Sequence, residues 1–424
     1  MNITIISAVA VIVVVTLLLV ALLLFIKTKL TPSGTVTIDI NEGKKVVDVP
    51  MGGSLLSTLA EQKIFLPSAC GGKGNCGQCK CQVLEGGGSI LPTEVGFFSR
   101  KQIMDNWRLG CQVKVKDNLK IQVPDSVLSV KKLECEVISN DNVATFIKEF
   151  TVKLPEGENL EFKSGEYIQI DIPAYELDFK DIDVAPEYRA DWEKFGFFNL
   201  HSSNPTATIR AYSMASYPGE KGIIKLNVRI ATPPFDRSVP RELGPKLLPV
   251  NPGIASSYVF TRKPGDKVMI SGPYGEFLLP KDDPKDVEYV FVGGGAGMAP
   301  LRSHIMHLFK TLKTDRKVKF FYGARALVEA FYLEDFAEIE REFPNFEFHL
   351  ALDRPDPAAD AAGVKYTAGF VHNVMNELYL KDHDAPEDIK YFMCGPPMMV
   401  SSVVNLLDSL GVAPESILYD NFGA

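Results

Sequence analysis

The sequence predicts a multidomain α/β and β protein: an apolar N-terminal helix, a small α/β unit around a cysteine loop, an antiparallel β-barrel, and a C-terminal α/β domain. Three observations carry this. Residues Ile3 to Ile26 contain no charged side chain. Four of the seven cysteines fall between Pro67 and Cys81, in "PSACGGKGNCGQCKC". From Leu133 to Leu279 short β-rich runs alternate with turn residues, and "DVEYVFVGGGAGMAPLRSHIMHLF" then reads as strand, glycine turn and helix. At 424 residues there is room for several such units. A net charge of −8 and the lack of a basic stretch argue against nucleic-acid binding.

The first element, within residues 1–30, is expected to span a membrane. An uncharged helix from Ile3 to Ile26 crosses the roughly 30 Å hydrocarbon core with some tilt. A cleaved signal peptide would want a basic leader and a small-residue cleavage site, and neither is evident. Lys27 and Lys29 follow the span, so the positive-inside rule leaves the rest of the chain in the cytoplasm. Disulfides are disfavoured there, and metal or redox roles for the cysteines are favoured.

The second element, residues 34–129, holds Cys70-x5-Cys76-x2-Cys79, then Cys81 and the distant Cys111. A [2Fe–2S] cluster takes four thiolates, and glycines such as Gly71, Gly72, Gly74 and Gly77 let backbone N–H groups approach its sulfides. Structural zinc usually wants two paired knuckles, and only Cys76 and Cys79 form one. A thioredoxin-type pair should open a helix, whereas this one sits in a glycine loop. Cys81 lies on the alternating stretch leaving the loop, and Cys111 starts a strand after a turn glycine, so Cys70, Cys76, Cys79 and Cys111 are the expected ligands. Cys135 reads as a buried thiol. With these residues the segment resembles the ferredoxin-like domain of NADH-dependent reductases, although plant-type loops have x4 where this one has x5. The upstream "GTVTIDINEGKKVVDVPMGGSLLSTLAEQKI" reads as hairpin then helix, as a β-grasp domain begins.

The third element, residues 130–283, contains "TIRAYSMAS" and "GIASSYV". These resemble the R-x-Y-S and G-x-x-S motifs of the ferredoxin–NADP reductase superfamily, and "ISGPYGEF" recurs at the end of such barrels. The resemblance implies FAD, with Arg210 on its pyrophosphate, Tyr212 on the isoalloxazine and Ser213 near N5. Gly253 and Ser256 would meet the pyrophosphate, with Ser257 as the alternative hydroxyl. An insertion near 173–206 is rich in acids and aromatics and suits either a partner surface or packing on its own barrel.

The fourth element, residues 284–424, fails the G-x-G-x-x-G pattern, because the run starting at Gly293 ends on Met298. It matches instead the GGGxGxxP form of the same superfamily, with Gly293, Gly294, Gly295, Gly297 and Pro300. The later "CGPPM" supports this, and by that resemblance Cys394 sits by the nicotinamide C4 while Gly395 and Pro396 leave room for the ring. Phe422 matches a near-terminal aromatic that covers the flavin and must swing aside for the nicotinamide. Arg325 suits the adenosine end, and the nearby acids Glu329, Glu334 and Asp335 favour NADH over NADPH. The histidine pair His304-x2-His307 reads as incidental.

Taken in order, the elements resemble the F-subunit family of Na⁺-translocating NADH:quinone oxidoreductases over essentially the whole chain. That resemblance implies a single-pass protein of the bacterial inner membrane, working with other subunits. Hydride would pass from NADH to FAD, then single electrons to the cluster, to partner redox centres and finally to quinone. A membrane-tethered reductase serving a monooxygenase shares the domain order and stands as the alternative.

Overall fold

The computed structural model describes residues 11–22, 34–68, 70–128, 130–239 and 244–420. Residues 11–22 are helical with exposed apolar side chains, while the rest of the expected span lies outside the described residues. Among the described residues no helix is long and apolar enough to cross a membrane. The remainder divides into two compact units. One runs to Ser129 without Ser68–Gly71, and the other comprises those four residues and Val130–Ala424.

The first unit is a five-stranded sheet in the order β2-β1-β5-β3-β4, formed by β1 (Thr35–Ile40), β2 (Lys45–Pro50), β3 (Lys80–Glu85), β4 (Trp107–Leu109) and β5 (Leu119–Gln122). β1 buries Val36, Ile38 and Ile40 on alternate positions, as a half-buried strand should. It pairs antiparallel with β2 and parallel with β5. Ser54 caps the helix Leu55–Glu61 by accepting from the Ser57 amide, and Leu55 and Leu59 turn into the core. This is the hairpin-then-helix order read from the sequence.

In the second unit, β6 (Lys131–Ala144), β7 (Ile147–Lys153) and β8 (Tyr167–Ile172) are followed by a separate two-stranded ribbon, β9 (Tyr175–Asp178) with β10 (His201–Asn204). β11 (Thr208–Ser213), β12 (Ile223–Arg229) and β13 (Lys267–Tyr274) complete a six-stranded antiparallel sheet in the order β11-β8-β13-β6-β7-β12. A Met214–Leu226 bridge joins the two ends, so the sheet closes as a barrel. The insertion supplies much of this barrel's core: Phe179 and Trp192 are fully buried, and the Trp192 indole donates to Thr145 O at 2.8 Å. Packing, not a partner surface, accounts for these aromatics.

The rest of this unit is a parallel sheet in the order β17-β16-β15-β14-β18-β19. Its strands are β14 (Tyr289–Gly294), β15 (Val318–Ala324), β16 (Phe346–Leu352), β17 (Thr367–Ala368), β18 (Lys390–Cys394) and β19 (Ile417–Asp420). Separate apolar clusters cover its two faces, which is why β14 is buried at every position. The chain steps outward from β14 to β17 and then returns to place β18 on the other side of β14. Helix Met298–Met306, expected to be amphipathic, is buried along its whole length because it lies between sheet and barrel.

Candidate functional site

In the first unit the cysteines sort by backbone position. Cys81 sits within β3 with its side chain fully buried, and burial pushes its thiol up to about 12. Cys79 precedes β3, and Cys111 follows β4 rather than opening a strand. The β3–β4 register pairs Lys80 with Leu109, and the Gly110 amide donates to Cys79 O at 2.7 Å, which brings Cys79 and Cys111 together. A hydrogen bond between the two thiols holds Cys111 below its ordinary value, at about 6, and raises Cys79. Gln112 Nε2 also points at Cys111 Sγ, at 3.7 Å. The charge of Cys76 reaches Cys79 as well. Cys70 is buried in the Ser68–Gly71 segment that groups with the second unit.

Among the described residues no three His, Cys, Asp or Glu side chains converge on a single metal ion. A [2Fe–2S] cluster asks instead for two terminal thiolates on each of two irons, and the neighbouring Cys79 and Cys111 thiols have the chemistry of one such pair. Gly77 shows why the loop needs glycine: its φ is +67°, and a Cβ would lie 2.5 Å from the Phe97 ring.

The path to Cys111 is fixed by a buried ion pair with no counterpart among the residues expected from sequence. Glu94 takes Arg108 Nη2 at 2.8 Å and the backbone amides of Leu91 and Leu109 at 2.9 and 2.8 Å. Arg108 Nη1 also donates to the carbonyls of Gly87 and Gly88.

In the barrel, Thr208, Ile209, Arg210, Ala211 and Tyr212 of β11 are all partly exposed, while neighbouring β8 is nearly all buried. β11 is therefore open along five consecutive positions, as a strand covered by a flat ligand would be. Arg210 Nη1 donates to Thr208 Oγ1 at 2.9 Å and to Ile209 O at 2.7 Å, holding the guanidinium beside the strand. Helix Ile254–Phe260 begins at Gly253. Ser256 Oγ is occupied by Ala231 N at 3.0 Å and Gly253 O at 3.1 Å, whereas Ser257 Oγ is buried with no hydrogen-bond partner, although the Tyr175 phenol lies near it.

The glycine turn lies between β14 and helix Met298–Met306. Gly295 has φ +56°, and a Cβ there would meet Ile147 Cδ1 at 4.0 Å, an ordinary contact distance. A Cβ on Gly297 would lie 2.1 Å from Cys394 O, so this turn and the C-G-P-P turn after β18 touch backbone to backbone. Between them opens a cavity of about 480 Å³ lined by Gly294, Gly295 and Pro396, with Arg325, Glu329 and Asp353 among its other walls. Its position is the switch point of the sheet, at the carboxyl ends of β14 and β18.

Ser213 and Cys394 are brought together by Asp420, a residue that carries no motif. Ser213 Oγ donates to Asp420 Oδ2 at 2.9 Å, and Cys394 Sγ donates to Asp420 O at 3.6 Å. Burial raises the Asp420 carboxyl and lifts Cys394 far above the ordinary thiol range. Cys394 is therefore a neutral thiol rather than a nucleophile. Phe422 lies outside the described residues.

Three family descriptions match in chain order. They are a 2Fe-2S iron-sulfur cluster binding domain over residues 38–116, an oxidoreductase FAD-binding domain over 194–278 and an oxidoreductase NAD-binding domain over 291–405. The F subunit of the Na⁺-translocating NADH-quinone reductase of Psychrobacter cryohalolentis is 52% identical over 421 residues, 99% of each chain. The protein of the same name from Marinomonas sp. is 52% identical over the full length of both. The chain belongs to the F-subunit family of Na⁺-translocating NADH-quinone reductases. Its fold is shared with the Amycolatopsis cytochrome P450 reductase GcoB, at a TM-score of 0.61 and 24% identity over 92% of this chain and 99% of that one. A ferredoxin reductase in carbazole 1,9a-dioxygenase gives 0.57 and 22%, over 92% and 98%.

Proposed function

We propose that this chain is the electron-input subunit of a membrane Na⁺-translocating NADH:quinone oxidoreductase. It takes hydride from NADH and passes single electrons to redox centres of partner subunits, with quinone as the final acceptor. The observation that carries this is identity of about half the residues, end to end, with chains of that name. Bound FAD supplies the conversion of a two-electron donor into single electrons, which a [2Fe–2S] cluster carries one at a time.

The chain's own residues bind and orient these groups. With FAD bound, Arg210 would meet the flavin pyrophosphate, Tyr212 would stack on the ring system, and Gly253 with Ser256 or Ser257 would complete the phosphate end. Gly294, Gly295 and Gly297 would give the NADH pyrophosphate a bare backbone turn at a helix start, with Gly293 ending β14 beneath it and Pro300 in the first turn of the helix. Cys394, Gly395 and Pro396 would leave the nicotinamide a thin, uncharged wall, and by the family resemblance Phe422 would be the aromatic that covers the flavin. Glu329 and Asp353 in the cavity wall disfavour a 2′-phosphate, which supports NADH. Cys70, Cys76, Cys79 and Cys111 hold the cluster, and Cys81 does not. The apolar segment Ile3–Ile26 anchors the chain once through the bacterial inner membrane, with the cofactor domains in the cytoplasm.

The test is NADH-driven quinone reduction in membranes with and without added Na⁺, comparing wild type, Cys111→Ala and Cys81→Ala, with the cluster followed by EPR. The expected result is Na⁺-stimulated activity that disappears with the cluster in Cys111→Ala and persists in Cys81→Ala. Na⁺-indifferent quinone reduction that survives Cys111→Ala would reject the assignment and leave a tethered reductase for another acceptor.

A further inference from the structure

The helix leaving the glycine turn is fastened directly to the chain leaving β11. Arg302 of that helix is 3% exposed, and all three of its guanidinium nitrogens are engaged. Nη1 donates to Ala215 O at 2.8 Å and to Glu220 Oε2 at 3.1 Å, Nη2 to Glu220 Oε1 at 3.3 Å, and Nε to Asp335 Oδ2 at 2.9 Å. The Tyr332 ring covers its face at 4.8 Å. The next residue, Ser303, donates its hydroxyl to Ser216 O at 2.8 Å. Ala215 and Ser216 are themselves held by β12 through Lys225: the Ala215 amide donates to Lys225 O, and the Lys225 amide to Ser216 Oγ. Tyr332 meanwhile donates its phenol to Glu149 of β7 and accepts from Asn227 of β12.

Burying an arginine with acids is roughly neutral for stability when compared with apolar packing of similar volume. What this arrangement supplies is position. Two consecutive side chains bond two consecutive backbone carbonyls, which fixes both the distance and the rotation of the helix against the strand exit. Only Met214 separates Ser213 from Ala215, and Met298 separates the glycine turn from the rest of its helix.

We propose that Arg302, with Ser303, is a positioning residue for hydride transfer, setting the separation between the flavin ring on β11 and the NADH whose pyrophosphate lies on the glycine turn. This rests on the assignment of those two elements to FAD and NADH given above. Hydride transfer is sensitive to such spacing, because a misplacement of about 1 Å can cost on the order of a hundredfold in rate.

The experiment is stopped-flow reduction of the purified full-length chain with NADH and with NADH deuterated at C4. FAD content, NADH affinity and the long-wavelength charge-transfer absorbance of the nicotinamide–flavin pair are read from the same samples. Arg302→Lys keeps the charge and loses the fork. The expected result is a per-flavin rate down by at least about tenfold, a weaker charge-transfer band and NADH affinity within about threefold of wild type. Ser303→Ala removes one hydroxyl and should move the rate in the same direction by about threefold. Wild-type rates and band intensity per bound flavin in both variants, whatever their stability, would overturn the proposal. If Arg302→Lys does not fold, Ser303→Ala decides it. Arg210→Ala separates the underlying assignment: full FAD retention there would reject the flavin site itself, whereas FAD loss there with normal Arg302→Lys kinetics would reject only the positioning role.

Discussion

Removing the Glu94 carboxylate should be among the more damaging single changes in the first unit. Its side chain is fully buried, and Arg108 is 6% exposed. Glu94→Ala leaves that guanidinium without its counter-charge and orphans the amides of Leu91 and Leu109. Breaking a buried pair from one side costs about 3–5 kcal/mol, and each orphaned amide about 1–3 kcal/mol. These penalties overlap, because water entering the site relieves part of each, so about 4 kcal/mol is expected in all. Arg108→Met should cost a similar amount, whereas the double variant Glu94→Met/Arg108→Met should cost much less than the sum. The assay is a double-mutant cycle from denaturant unfolding, following the visible cluster absorbance of the full chain. Because Leu109 lies two residues before Cys111, the single variants should also release the cluster at lower denaturant. Single costs near 0.5 kcal/mol, the usual size of a surface change, or a double variant as damaged as the sum would refute this account.

Gly297→Ala forces a Cβ to within 2.1 Å of Cys394 O, with backbone on both sides. The two turns must separate, and NADH affinity should fall at least about tenfold, or about 1.4 kcal/mol; titration giving a dissociation constant within twofold of wild type would contradict the close approach. Asp420→Asn tests the buried acid by its pH dependence. The folded-state pKa is raised by burial, so the proton's contribution to stability is fully present below the ordinary value of about 3.9 and is lost as pH rises through the raised one. The asparagine variant should therefore be more stable than wild type near neutrality, with the gap closing towards pH 4. A gap that is constant across that range in denaturant titrations would show that Asp420 is not desolvated.

The cysteine loop is legible as a unit, because glycines between thiols have few other uses, and strand alternation alone places Cys81 on β3. The strand following Cys111 was misplaced: Trp107 to Leu109 form the strand, and the chain turns at Gly110. The aromatics of the insertion were visible, but only the barrel's missing core explains where Trp192 goes. Asp420 and Arg302 carry no local signal. One follows a tyrosine near the C-terminus and the other sits in a helix that reads as amphipathic, and both acquire meaning only from contacts with residues 207 and 87 positions away. Glu94 and Arg108 carry no motif, and the turns around them bury both.

The crevice beside β14 owes its existence to the order in which strands are added, and not to the side chains that line it. Where one connection leaves towards β15 and the next returns to β18, the chain departs in opposite directions and leaves a gap that no core residue has to maintain. Arg325, Glu329 and Asp353 stand on the loops around that gap, away from the packed faces of the sheet. The loop side chains around the gap can therefore be exchanged without taxing the packed faces of the sheet, whereas a side chain at Gly297 would prise two turns apart.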